Sequence, residues 1–355
     1  MTGRHGSLPG RSGKVRAARL TDLSALGELS RLAQADDTGA RSLGLPVAGP
    51  PIGVFTLFRL PLGAFRPNDL LYVHELDGHI GGLLRVERDG TRDEWTIVEL
   101  DAVGLADAGD IRYRMVQACL RDGAKRGAAR FHVACADVDG NVELFMQAGF
   151  MRYGDELVCF RPSSLPLPEL LTDDEAGELG IRPVGGTDAV ALFRLYNAVT
   201  PAPVARLEMH RIADWERHGS GPLMPRSSLT PILRFADVET FLQEAPEGSA
   251  DPTRLQGFVQ VGVAKEDQPH YLRILVRPGT DATPLIQFGL GVIGARAEKR
   301  DHGQDHGVIS PIRTYESPLE HRAEEAGFTT VATVTLLMKE TLVRVAEPAM
   351  VPAIR

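Results

Sequence analysis

AARFHVACADVDGNVELFMQAGFMRY, residues 128–153, follows the order of one structural unit. Phe131 to Cys135 alternates apolar and polar side chains, as a half-buried strand does. Asp137 to Gly140 supplies turn residues, and Val142 to Ala148 carries a short helical repeat. Gly149 is placed to stop that helix, because glycine tolerates the left-handed conformation of a helix C-cap. Phe150 opens the next strand.

The unit recurs near the C-terminus. His306 to Tyr315 reads as strand and turn, Pro318 to Ala326 as a short helix, and Gly327-Phe328 opens the run TTVATVTLLM. The two Ala-Gly-Phe triplets stand 178 residues apart (149 to 327). The openings repeat as well. Val15-Arg16, Thr21-Asp22 and Leu23, Leu26, Leu29 match Ile181-Arg182, Thr187-Asp188 and Val190, Leu192, Leu195, at an offset of 166 (15 to 181). Thr or Asp ahead of an apolar helical run is an N-cap signal. Two beginnings and two endings in one order indicate an internal duplication.

This arrangement resembles two tandem domains of the GNAT superfamily of N-acetyltransferases. The resemblance implies an α/β (α+β) fold, each domain a mixed, mostly antiparallel sheet with helices on both faces. The expected divisions are a tail at 1–14, domains at 15–162 and 181–346, a Pro-rich linker at 163–180 and a tail at 347–355.

Length and composition agree with such a chain. A total of 355 residues favours two domains over one, and 43% apolar with 24% charged residues is ordinary for a globular protein. A net charge of −8 and a pI near 5.7 argue against nucleic-acid or anionic-membrane surfaces. No apolar run approaches the roughly 20 residues of a membrane span, and the basic N-terminus leads into no signal-peptide core. Three cysteines without C-x-x-C spacing suit a reducing cytoplasm.

Between the ends, Leu70–Leu76, Asp77-Gly78 and His79–Glu87 read as a hairpin with a type I′ turn. Trp95–Val103 reads as the fourth strand and Asp110–Arg126 as the helix after it. Residues 36–53 read as a loop, and Phe55–Leu62 as ambiguous between helix and strand. The second copy offers a helix at Val190–Asn197, a helix around Trp215, strands at Asp237–Glu244, Leu255–Val263 and Tyr271–Val276, and a helix at Pro284–Arg300 with Thr283 as N-cap. Ala245–Thr253 is a polar insertion.

The resemblance places acetyl-CoA where the fourth strand meets the next helix, with pyrophosphate on backbone N–H groups of the helix start. In the first copy these positions are Val103, Leu105, Gly109, Asp110, Ile111 and Arg112. The family's Arg/Gln-x-x-Gly-x-Gly/Ala loop is not intact: Ala106 and Ile111 depart from it, and Asp107 and Asp110 bring negative charge. The second copy, Val276 to Pro284, lacks the glycine pattern and carries Asp281. The tyrosine that often protonates the leaving thiolate is Phe145 in one copy and Ala323 in the other. The usual Asn is Val138 and Glu316, with Asn141 nearby but out of register.

Glu99 and Asp101, two apart on the fourth strand, share a face and could take a proton from an amine; the competing reading is that one faces solvent or pairs with an arginine. No metal is expected: Asp301-His302 and Asp305-His306 fall in a glycine-broken loop. His74 and His79 read as exposed residues flanking the hairpin turn, Gly81-Gly82 as a bulge or a packing need, and Trp95 and Trp215 as core or interdomain anchors. Two functions follow from the resemblance. One is acetyl-CoA-dependent N-acetylation of a small-molecule amine, by direct attack on the thioester, in the cytoplasm. The alternative is a non-catalytic ligand-binding or assembly protein with decayed cofactor sites.

Overall fold

The structure, a computed structural model, describes residues 13–22, 24–26, 29, 43, 69–89, 92–102, 108–216, 224–245, 255–265, 268–299 and 306–341. The first half contributes β1 (Lys14–Ala17), β2 (Asp69–Leu76), β3 (His79–Asp89), β4 (Glu94–Ala102), α1 (Ala108–Lys125), β5 (Arg130–Cys135), α2 (Asn141–Gln147) and β6 (Met151–Arg161). Next come α3 (Asp173–Glu178), β7 (Ile181–Pro183), α4 (Ala189–Val199), α5 (Ala202–Glu208), β8 (Phe235–Glu244) and β9 (Leu255–Ala264). β10 (His270–Val276), α6 (Thr283–Glu298), β11 (Val308–Arg313), α7 (Ser317–Glu325) and β12 (Thr329–Glu340) complete the described elements. Residues 36–42, 44–62, 103–107, 246–254 and 301–305 lie outside the description, as do the tails at 1–12 and 347–355.

The strands form one sheet, ordered β1-β2-β3-β4-β5-β12-β6-β11-β10-β9-β8-β7. Its pairs are antiparallel except β4–β5 and β10–β11. The last strands of the two halves are exchanged: β12 lies between β5 and β6, and β6 between β12 and β11. Glu156 faces Val334 across the central pair, and these residues stand the same 178 positions apart as the two Gly-Phe endings. A pseudo-twofold axis therefore passes between them. Gly149 and Gly327, both at φ +88°, stop the helices that feed the exchanged strands, in a conformation costly for residues with a Cβ.

The repeated Arg…Thr-Asp opening has a physical basis. Arg16 donates to both oxygens of Asp22 and to Glu75, strapping β1 to the helix start and to β2. Arg182 does the same with Asp188 and Glu244. Each aspartate also accepts a backbone N–H three residues before it, from Arg19 and Gly185 respectively. Ser24–Leu26 and Leu29 are helical, with Leu26 and Leu29 packed on Val73 and Leu83.

α1 buries Ile111, Met115, Cys119 and Leu120 against Trp95, Ile97, Leu84, Val86 and Phe131. At about 1.5–3 kcal/mol for each large side chain removed from water, such layers supply the gross driving force. α6 packs on Val259, Val261, Leu272 and Ile274. The chain at 167–170 crosses its outer side, where a Cβ on Gly291 would lie 2.9 Å from the Glu169 carbonyl oxygen. Burial on two sides explains why α6 is apolar nearly all round.

Three local expectations are corrected. The charged run in the linker forms α3, because Thr172 and Glu175 close a capping box. The segment before Trp215 is a single 3-10 turn, Ile212–Asp214. Thr283 is already helical, and Asp281 accepts its N–H and hydroxyl hydrogen bonds.

Strand exchange makes each half's sheet depend on the other half. Fragments 1–170 and 171–355 should each lack cooperative unfolding alone and co-purify one-to-one when co-expressed. Circular dichroism and gel filtration read this; a folded monomeric 1–170 fragment would contradict it.

Candidate functional site

β4 and β5 pair in parallel only from Glu94–Arg130 to Ile97–Val133, and then part. At the parting point β4 carries a bulge. Val86 faces Ile97 and Arg85 faces Glu99, so Val98 has no partner on β3. The extra residue shifts the side-chain phase. Trp95 and Ile97 face α1, whereas Glu99 and Asp101 share the opposite face with Leu83, under Leu26 and Leu29. Both carboxylates are buried, at 3% and 5% exposure. Glu99 meets the Arg85 guanidinium at 3.3 Å.

Gly109, Asp110, Ile111 and Arg112 form the first turns of α1, while Val103 and Leu105 lie outside the described residues. Among the described residues, which do not include 103–107 just before it, a Cβ on Gly109 would meet nothing within 4 Å. Asp110 pairs with Arg114 at 2.7 Å, so its charge is compensated locally. Ile111 is core. Arg112 donates to the Asn141 side chain and to the Asp139 carbonyl, tying α1 to α2. Asn141 is thus a buried strut. Phe145 packs edge-on against Phe150 and Ala323 is buried, so neither position offers an acid.

His74 is a correction: it is buried, not exposed, and burial pushes its imidazole below the ordinary range. His79 is exposed as expected. The Gly81-Gly82 reading resolves as a bulge, since His74 faces Gly82 and Glu75 faces Ile80.

The second half differs at each corresponding point. β10 pairs with β9 without a register shift. Leu272–Val261 corresponds to Ile97–Val86 and Ile274–Val259 to Leu100–Leu84, which sets Arg273 opposite Gln260 where Glu99 stands opposite Arg85. Arg273 is 1% exposed and makes two 2.7 Å bonds to Glu316. It also donates to the carbonyls of Ile274 and of Pro311 on β11. Its side chain therefore spans the gap between the parting strands β10 and β11. At the start of α6, the Asp281 carboxylate takes the place an anionic ligand would need.

A buried ionic network joins the halves. Arg313 binds Glu156 at 3.1 Å and Glu208 at 3.0 Å, and Glu208 accepts from Tyr196 at 2.5 Å. Arg92 bonds the Glu208 carbonyl and pairs with Glu94 at 2.9 Å. Arg226, ahead of β8, reaches Asp89 at 2.5 Å and Glu94 at 2.8 Å. His132 lies 3.6 Å from Glu94. Burial pushes the Glu94 carboxyl up, but His132, Arg226 and Arg92 outweigh it and hold it at about 2. Burial is likewise outweighed at Glu208, where Arg313, His210 and Tyr196 hold the carboxyl at about 2.

Sequence reasoning finds Glu99 and Asp101 but misses Arg85, His132 and the Arg273–Glu316 pair. Two signals were present. The apolar phase of EWTIVELDA slips after Ile97, and HYLRILV carries one charge in an otherwise apolar strand. Among the described residues no group of His, Cys, Asp or Glu is placed to hold a metal, and no helix is long and apolar enough to cross a membrane. Of the Asp-His pairs only His306 is described, and its ring lies 5.9 Å from that of His270.

No protein-family model and no curated protein sequence matches this chain. Solved structures do. A tandem GNAT protein from the clavulanic acid biosynthesis pathway shares 12% identity, over 92% of this chain and 98% of that one, with a TM-score of 0.55. A GCN5-related N-acetyltransferase from Sphaerobacter thermophilus shares 16% identity, over 94% and 97%, with a TM-score of 0.55. The chain has the tandem GNAT-like fold.

The network carries a pH signature. Glu94 and Glu208 titrate lower folded than unfolded, so their contribution is complete above the ordinary glutamate value of 4.5 and is lost as pH falls toward about 2. The urea midpoint should be level from pH 7 to about 5 and drop steeply below. Glu208→Gln, which strips Arg313 of a charge partner, should cost about 3–5 kcal/mol at pH 7 and flatten the acid slope.

Proposed function

We propose that this protein is an acetyl-CoA-dependent N-acetyltransferase working from the first half alone. The observation that carries the reading is the contrast between the two clefts. The β4–β5 cleft has a bulge, two buried carboxylates and, at the helix start, a Gly109 that no described residue crowds. The β10–β11 cleft is spanned by Arg273 and Glu316. The same contrast favours an enzyme over a scaffold with two decayed sites.

Acetyl-CoA is placed at the first turn of α1, where the N–H groups of Gly109 and Asp110 have no intrahelical acceptor and Arg114 offsets the Asp110 charge; Arg112, one turn on, braces the helix through Asn141. Acetyl-CoA brings the activated thioester. The chain's own part is to align it where β4 and β5 part, beside the bulge at Val98. Glu99, with Asp101 beside it, takes the proton from the attacking amine. With Phe145 in place of a tyrosine, the CoA sulfur leaves as thiolate; thiols ionise near pH 8.5 or above, so departure does not require a protein acid. The acceptor is a small-molecule amine approaching from the face under Leu26 and Leu29.

Calorimetric titration of acetyl-CoA tests this. One site per chain is expected, weakened at least tenfold by Gly109→Trp and unchanged in number by Arg273→Ala. Absence of binding at millimolar acetyl-CoA would remove the reading, and two sites would restore the second half to activity.

A further inference from the structure

We propose that Arg85 is the positioning residue for Glu99 in the acyl transfer described above, an inference that rests on that reading. β3 is regular through the bulge region, so Leu83, Arg85, Glu87 and Asp89 lie on one face. Each charge in this row has a different anchor. Asp89 is held by Arg226 and Glu87 faces Arg234 at 3.9 Å, both from the segment ahead of β8 in the second half. Leu83 is covered by Leu26 and Leu29. Arg85 lies between these two covers and meets only Glu99 among the ion pairs of the described residues.

The pairing geometry is that of a guide. Glu99 is directly opposite Arg85 because the bulge at Val98 moves it onto that face. Nε and Oε2 approach to 3.3 Å, yet neither atom has a hydrogen-bond partner among the described residues. A buried carboxylate oxygen in this state keeps its lone pairs available to a further donor. An ion pair optimised for stability alone would be bidentate, as Arg273 and Glu316 are at the corresponding position. The first half thus holds its carboxylate in place by charge while leaving an oxygen able to accept a proton.

The test compares Arg85→Gln, Arg85→Lys, Glu99→Gln and the double variant Arg85→Gln/Glu99→Gln. The probes are acetyl-CoA with water alone and with butylamine, read as CoA thiol release, beside calorimetric acetyl-CoA affinity. Arg85→Gln should lower kcat at least tenfold with acetyl-CoA affinity unchanged, and Arg85→Lys should restore at least a third of it. The double variant should be no slower than Glu99→Gln, since residues acting as a unit are non-additive. Wild-type kcat in Arg85→Gln, or multiplicative losses in the double variant, would overturn the assignment. So would a wild type that binds acetyl-CoA but releases no CoA with either acceptor. A wild type that does not bind acetyl-CoA overturns the acetyltransferase reading itself, and calorimetry separates that case.

Discussion

Glu156 is the point on which the molecule turns. It lies on β6 beside the pseudo-twofold axis, fully buried and opposite Val334 of the other exchanged strand. A carboxylate in that position is tolerable only when its charge is compensated. The Ser228 N–H donates to Oε1 at 2.8 Å and Arg313 stands 3.1 Å from Oε2. Ser228 precedes β8 and Arg313 ends β11, so β6 is held within the second half by charge as well as by its ladder. Arg313 then passes the constraint to Glu208 and the Arg226 carbonyl. Arg226 returns it to Asp89 and Glu94 of the first half. The exchange and the network are therefore one device: neither half can rotate away without uncovering several charges at once.

Around this shared centre the halves have moved apart in chemistry while keeping their frame. The straps Arg16–Asp22–Glu75 and Arg182–Asp188–Glu244 are nearly the same construction twice. The clefts are not. In β10 a guanidinium replaces a carboxylate, and Pro311 on the facing strand has no N–H to offer a ladder. Arg273 satisfies the Pro311 carbonyl that parallel pairing would have used. Filling the gap in this way gives the second half a rigid wall, which suits a half that covers Glu87 and Asp89 of its neighbour.

Much of the frame was legible in the sequence because it rests on local chemistry. Asp77-Gly78, with φ values of 50° and 81°, makes the expected hairpin turn, and the Ala-Gly-Phe endings stop their helices where expected. Strand exchange was not legible. Periodicity reports which face a residue occupies, not which of two similar strands lies beside it. His74 was misjudged for a related reason: flanking a turn suggests exposure, but Gly13, just before β1, packs directly against its ring. The candidate carboxylates were found, yet the face they occupy depends on one unpaired residue.

That residue, Val98, links fold to function most directly. In a regular strand Glu99 and Asp101 would follow Trp95 and Ile97 onto the face of α1, where the layer of Met115, Cys119 and Leu120 could not accept two charges. The bulge removes the conflict by reversing the phase, and Leu100 takes over the apolar position. β10 has no such shift, so Arg273 stays in phase with Tyr271 and Leu275, facing away from α6. The two halves thus reach the same face of the sheet by different routes. Where β4 interrupts its ladder, Glu99 keeps an oxygen with no hydrogen-bond donor among the described residues. Where β10 keeps its ladder, Arg273 bonds Glu316 and two carbonyls. A single added residue in one strand separates a cleft lined by two buried carboxylates from one spanned by an arginine.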